Sequence, residues 1–188
     1  MLTQILLLQE KNTKQLDNCD KMNTYIQQLS NLNTARIAGK NAPHKAILLL
    51  SIMDLIEIGD ITNPRIELTE RLEKTFNTVW KKYIGKSLIF RPMVATPYWH
   101  MGNEPFYRLF LRNGTEIGGA NGNYSVKWLR ENTYATIDNG LFDLMQNETY
   151  RAFLRVLLVS TYLKGLHANT EAMLSILAIL GVFVPLAA

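Results

Sequence analysis

The chain has 188 residues, of which 47% are hydrophobic and 19% are charged, enough for one domain with a sizeable core. Its formal net charge of +4 favours a polyanionic partner. The single cysteine, Cys19, excludes an intramolecular disulfide and a cysteine-rich zinc site. The N-terminus lacks the basic and apolar regions of a secretory signal, so we expect a cytoplasmic protein without a membrane partner.

Residues 1–40 are predicted to form an N-terminal helical and loop segment. Apolar residues recur there at the spacing of a short amphipathic helix: Tyr25, Ile26, Leu29 and Leu32. The loop that follows carries two cations, Arg36 and Lys40, and leads into the next element. It is either an edge that contacts phosphate or a solvated connection.

The stretch Ala42–Ile61 is predicted to be a core helix around which the rest of the chain is organised. Apolar side chains occupy nearly every side of it, as is typical of a helix packed on several faces. Pro43 suits the first turn and Gly59 suits the position after the C-terminus. We expect His44 and Lys45 to point outward from the first turn, where the helix dipole attracts phosphate. The alternative is an ordinary solvated helix start.

The next residues predict a short strand and a second helix. Arg65–Leu68 follows a turn signal and alternates as a strand does. Thr69 is a predicted N-cap for a helix that runs to about Tyr83 with one apolar face. Helix, strand and helix in this order resemble part of a winged-helix arrangement.

Residues 86–134 have a composition typical of β-structure. Ser87–Phe90 is a predicted strand. Tyr98–Met101 and Phe106–Leu111 are predicted to be the two arms of a hairpin around a Gly-Asn-Glu-Pro turn. Tyr124–Trp128 is either a short strand or a helix start.

Beyond residue 138 the pattern is helical again. A short helix is predicted around Leu141–Met145 and a longer one over Thr149–Leu163. The fold class is therefore α+β, a mainly helical domain with a small antiparallel β-sheet and a winged-helix-like core. Residues 167–188 are set apart as an apolar C-terminal tail, whose last 16 residues, Met173–Ala188, are too few to span a bilayer.

The sequence carries no recognisable enzymatic motif. Its three histidines and one cysteine lack the spacing of zinc ligands, and the glycines at 118–122 lack a following Gly-Lys-Ser/Thr. Asp54 and Glu57 are expected to face solvent or to pair with a basic group. We therefore expect a binding protein with no cofactor and no metal.

The densest cluster of rigid and flat side chains is Thr96-Pro97-Tyr98-Trp99-His100. One interpretation is a hairpin whose aromatic residues fill the core below it. The other interpretation is an exposed platform that contacts a ligand.

Two segments together resemble the sulfur-binding domain of modification-dependent HNH restriction endonucleases, a bacterial defence family that recognises phosphorothioated DNA. They are APHKAILLLSIMDLIEIGDI, and TPYWHM followed by PFYRL. A helix with Phe76 and Trp80 lies between them in the family's order. The resemblance covers about Asn41 to Leu163 and places a DNA-binding domain at residues 41–166.

The resemblance implies a pocket for a linkage in which sulfur replaces a non-bridging phosphate oxygen. Sulfur is larger and a poorer hydrogen-bond acceptor than oxygen, so it loses less by leaving water. The implied pocket has Pro97 as its apolar wall, Thr96, Tyr98 and His100 as its rim, and His44 and Lys45 as phosphate ligands. Two positions depart from the family pattern, because Thr96 stands where we expect an aromatic residue and Lys45 where we expect an arginine.

The implied partner is double-stranded, phosphorothioated DNA, with a homodimer or a partner nuclease domain as further possibilities. Candidate contacts to the DNA backbone are Arg36, Lys40, Arg91, Arg108, Lys127 and Arg130. The histidines and asparagine of an HNH nuclease centre are not found after His100. Two alternatives stay open: a winged-helix-like DNA-binding or regulatory protein without sulfur selectivity, and a protein-interaction domain that docks a partner nuclease.

Overall fold

The computed structural model describes residues 21–37, 39–87, 89–117 and 124–163. Its helices are α1 (residues 21–30), α2 (His44–Glu57), α3 (Glu70–Tyr83), α4 (Ala95–His100), α5 (Val126–Asn132), α6 (Asn139–Gln146) and α7 (Glu148–Tyr162), with a 3-10 turn at Met101–Asn103. Its strands are β1 (Arg36–Ile37), β2 (Lys40–Asn41), β3 (Arg65–Ile66), β4 (Tyr107–Leu111) and β5 (Thr133–Ile137). The predicted class, α+β and mainly helical with small antiparallel sheets, is confirmed.

Helix α2 is the centre of the core, as its sequence predicts. Eleven of its 14 residues are buried, and it packs against α3, α4, α6 and α7. The helix begins at His44, with Pro43 as the preceding N-cap residue. Gly59 follows its C-terminus at a φ of +78°, a conformation that glycine adopts without strain. The carboxylates of Asp54 and Glu57 both pair with Arg155 of α7, which agrees with the basic partner expected for them.

The other predicted helices and the first predicted strand are also present. Thr69 caps α3, because its hydroxyl accepts a hydrogen bond from the Leu72 N–H at 3.1 Å. Helices α6 and α7 lie where the apolar spacing places them, and the region around Tyr124–Trp128 is a helix start. Arg65–Leu68 forms a strand over its first two residues only.

The three-stranded sheet has the order β3-β5-β4, and both pairings are antiparallel. Its central strand, β5, is absent from the sequence prediction. Thr133, Ala135 and Ile137 are buried and alternate with half-exposed residues. Threonine and alanine carry little apolar surface, so this alternation is weak in the sequence, and β5 follows α5 with no turn residue between them.

The predicted hairpin around residues 98–111 is wrong in its first arm. Tyr98–Met101 belongs to α4 and the 3-10 turn, and β4 pairs with β5 instead. Pro97 is tolerated within α4 because it occupies the first turn, where its missing N–H would have no helical acceptor. Tyr98 is fully buried in the core, and this tertiary packing overrides the strand preference of the aromatic residues.

The predicted strand at Ser87–Phe90 is also wrong over its described residues. The Ser87 hydroxyl accepts hydrogen bonds from the N–H groups of Ile89 and Phe90, which is a turn and not an extended chain. Residues 1–20 and the predicted apolar tail lie outside the described residues. None of the helices in the described ranges has the length and hydropathy that a bilayer crossing requires.

Candidate functional site

A cavity of about 310 Å³ lies at the N-terminal end of α2. Three parts of the chain line it: residues 33–35 with Ala42, the first turn of α2, and one face of α4 with the 3-10 turn. Five of the six residues implied for a sulfur pocket contribute to this lining: His44, Lys45, Thr96, Pro97 and His100. The structure thus brings together side chains from two helices that are far apart in sequence.

The sixth implied residue, Tyr98, does not lie at the cavity rim. Successive residues of a helix turn by about 100°, so Tyr98 leaves the face that Thr96, Pro97 and His100 share. Its hydroxyl donates to the Ile66 carbonyl at 3.0 Å, and burial raises the pKa of Tyr98 well above its ordinary value. The implied rim position is corrected to a core position, because α4 is a helix and not a strand.

Lys45 forms a buried ion pair at the cavity. Its Nζ lies 2.5 Å from Oε1 of Glu104, and the two side chains are 7% and 4% exposed. The same Oε1 accepts a hydrogen bond from the Asn33 N–H at 3.0 Å, which fixes the cavity wall at residues 33–35. The expected outward position of Lys45 is wrong, because α2 is packed on all sides and position 45 needs a buried partner for its charge.

His44 contacts three neighbours at the N-terminal end of α2. Its ring centroid lies 4.8 Å from that of Trp80 and 6.0 Å from that of Phe90. Nε2 donates to the Arg91 carbonyl at 2.8 Å, so the proton of the neutral ring is on Nε2 and Nδ1 is an acceptor. Burial lowers the pKa of His44, and the carbonyl hydrogen bond opposes this only in part.

His100 faces the same cavity from α4. Burial lowers the pKa of His100, and the nearby Lys45 ammonium lowers it further. Near pH 7 both imidazoles are therefore neutral, and the charge of Lys45 is balanced by Glu104. The side chains of the cavity wall carry almost no net charge.

The backbone at the start of α2 offers hydrogen-bond donors to an anion. The first helical hydrogen bond runs from the Ile47 N–H to the Pro43 carbonyl at 3.0 Å. The three preceding N–H groups of the first turn have no acceptor within the helix, no side chain caps them, and the turn holds no acidic residue. An anion in the cavity would meet these donors and the positive end of the helix dipole.

The stability of the protein should fall in mild acid because of these two histidines. Their folded-state pKa values lie below the ordinary 6.5, so the unfolded chain binds more protons as the pH falls through 6.5. The part of the stability that depends on these two neutral imidazoles is thus complete above pH 6.5 and is lost progressively below it. Urea unfolding at pH 7.5 and 5.5 should show a smaller loss in His44→Gln than in the wild type. Equal losses in the two proteins would contradict this assignment.

Cations with carboxylate partners lie around the sheet and the C-terminal end of α2. They are Arg65, Arg71, Arg108, Arg112, Arg130, Arg151 and Arg155. Of the implied backbone contacts, Arg108 and Arg130 therefore belong to ion-paired surfaces away from the cavity. Lys127 is exposed on α5.

Several other cations form no such pair. Among the described residues, no carboxylate forms an ion pair with Arg36, Lys40, Lys86 or Arg91. The two cations of the β1–β2 hairpin flank the cavity wall, and the Arg91 carbonyl accepts from His44. Arg36, Lys40 and Arg91 thus place positive charge without a carboxylate partner in the segments next to the cavity lining.

Sequence reasoning missed two features of this region. It assigned Glu104 to a turn, although a lysine within an apolar helix requires a buried carboxylate somewhere in the fold. It also did not foresee the stack of Trp99, Tyr124 and Trp128, whose successive ring centroids are 4.1 Å and 4.4 Å apart. Tyr124, just before α5, and Trp128, on α5, are four residues apart in the sequence, but the sequence does not show that Trp99 of α4 is their partner.

Within the described ranges, no group of three or more histidine, cysteine, aspartate or glutamate side chains is placed to hold a metal ion. No model of a protein family matches the chain, and no curated protein matches it.

Proposed function

We propose that the chain is a DNA-binding module that takes one backbone linkage of a duplex into the cavity at the start of α2 and favours a phosphorothioate there. The observation that carries the proposal is the convergence of His44, Lys45, Thr96, Pro97 and His100 on this one cavity. These are residues that the resemblance to the sulfur-binding domains implies.

The attraction to a nucleic acid backbone would come from two sources. The free N–H groups of α2 offer hydrogen bonds to an anionic oxygen or sulfur. Lys40 and Lys86 line a neighbouring cavity, and the Arg91 carbonyl accepts from His44. None of these three cations forms an ion pair within the described residues, and they would contact neighbouring phosphates. Binding should therefore weaken steeply as salt is raised.

The preference for sulfur would come from the side chains of the cavity wall, which carry almost no net charge and add little to the N–H donors of α2. Two neutral imidazoles, the Pro97 ring and a lysine already paired with Glu104 offer little to an oxygen that must give up its water. Sulfur is less strongly hydrated and more polarisable, so the same wall costs it less. A cavity of about 310 Å³ has room for the larger atom.

A duplex-binding protein without sulfur selectivity is the second candidate function. The burial of Pro97 and Tyr98 favours it, because those side chains then serve packing more than recognition. In either case we propose that this chain binds DNA in the cytoplasm and does not itself catalyse a reaction. A nuclease would be a partner, or another part of a longer protein.

A titration of three fluorescent duplexes tests the proposal. The duplexes differ only in one linkage, which is phosphate, R-phosphorothioate or S-phosphorothioate. We expect one diastereomer to bind at least about tenfold more tightly than plain DNA, a preference of the size that one well-placed contact supplies. Pro97→Ala should remove the preference, whereas Pro64→Ala, a proline change on the sheet side, should keep it.

Equal and salt-sensitive affinity for all three duplexes would overturn sulfur recognition and leave the second candidate. No binding to any duplex would overturn both and favour a protein-interaction domain.

A further inference from the structure

The β1–β2 hairpin continues the wall of the cavity. Its register pairs Ile37 with Lys40 and Arg36 with Asn41, and the next hydrogen bond joins the Ala42 N–H to the Ala35 carbonyl at 2.8 Å. Side chains alternate along a strand. Ile37 and Lys40 therefore lie on the same face of the hairpin as Ala35 and Ala42. Both alanines line the cavity. Arg36 and Asn41 occupy the opposite face.

The hairpin exposes an apolar side chain two residues beyond Ala35 of the cavity lining. Ile37 is 47% exposed, although isoleucine is among the residues most often buried. All four residues of β1 and β2 are exposed, so the hairpin lies at the surface of the protein. An isoleucine held out between two cations is poorly placed for the core and well placed for contact with a partner.

The charge beside the hairpin fits a polyanion. A second cavity of about 490 Å³ adjoins the first across the turn between β2 and α2. Lys40 and Lys86 contribute to its lining, and no acidic residue does among the described residues. A DNA strand that leaves the first cavity over Pro43 would enter this second one.

We propose that the β1–β2 hairpin enters a groove of the duplex beside the bound linkage, with Ile37 against base edges and Lys40 against the backbone. The inference rests on the proposed function and adds to it the element that senses neighbouring bases. An isoleucine side chain contacts the apolar parts of base edges, such as the thymine methyl group, and not their hydrogen-bonding groups. Lys40 adds a phosphate contact that carries no sequence information.

The test is a panel of duplexes that carry the preferred linkage and differ in the base pair on each side of it. At one of these positions we expect the wild-type affinities to spread over at least about fivefold, and Ile37→Ala to reduce the spread to within about twofold. Ile58→Ala is the matched control, because Ile58 is 58% exposed at the far end of α2. It should leave the spread unchanged.

Lys40→Ala should weaken binding to every duplex alike and lower the salt dependence by about one released counterion. Arg36→Ala, on the opposite face of the hairpin, should change that dependence less. Suppose that Pro97→Ala removes the preference for the phosphorothioate but Ile37→Ala leaves the base preference unchanged. The hairpin inference is then overturned and the proposed function stands. If no duplex binds, both are overturned.

Discussion

Replacing Glu104 by glutamine is expected to lower the free energy of unfolding by about 3–5 kcal/mol. The change leaves the Lys45 ammonium buried beside a neutral amide, while the amide oxygen can still accept from the Asn33 N–H. In a chain of this size such a loss lowers the melting temperature by about 6–20 °C. Thermal and urea unfolding at pH 7 measure it.

The double variant Lys45→Met with Glu104→Gln is the control for this prediction. Methionine has nearly the shape of the lysine stem and carries no charge, so the double variant should recover most of the lost stability. A single variant that costs less than about 1 kcal/mol would show that water already screens the pair as it does on a surface.

The single substitution Glu104→Gln should also change DNA binding, and our proposal predicts the direction of the change. Without Glu104 the full charge of Lys45 faces the cavity, and an ordinary phosphate oxygen gains a partner there. We expect Glu104→Gln to bind plain duplex more tightly than the wild type and to discriminate less between plain and phosphorothioated DNA. An unchanged ratio would mean that the ion pair has no part in selectivity.

Replacing Leu49 by alanine should cost about 2–5 kcal/mol of unfolding free energy. Leu49 is 0% exposed in the middle of α2, the helix that contacts four other helices, so the cavity left by the lost methyl groups cannot collapse easily. The measurement is the urea midpoint at constant slope.

Ile58→Ala is the matched change at the exposed end of the same helix and should stay within about 0.5 kcal/mol of the wild type. Equal effects at the two positions would contradict the central place of α2 in the core.

The sequence predicts most of the helical framework because helices depend on local patterns. Apolar residues on every side of α2, the Thr69 cap of α3 and the spacing in α7 are each visible within one stretch of chain. The sequence did not predict strand β5 or helix α4, for the opposite reason. Their conformations are set by partners far along the chain: β3 and β4 for the strand, and the core around Tyr98 for the helix.

The candidate site also has features that the sequence shows and features that depend on the fold. The residues that the resemblance implies were visible as two short motifs, but the ion pair between Lys45 and Glu104 joins positions 59 residues apart and needs the fold. Which cations have a carboxylate partner is likewise a property of the folded surface. Composition gives a net charge of +4 and no location for it.

The most direct test of the central claim is a ³¹P NMR titration of a duplex with a single phosphorothioate. Its resonance is resolved from those of ordinary phosphates, so it reports on that one linkage. We predict that the wild-type protein shifts the resonance of one diastereomer, and that Thr96→Trp, which fills the cavity from its exposed rim, removes the shift. A duplex that binds the protein while this resonance stays in place for both diastereomers would contradict the account.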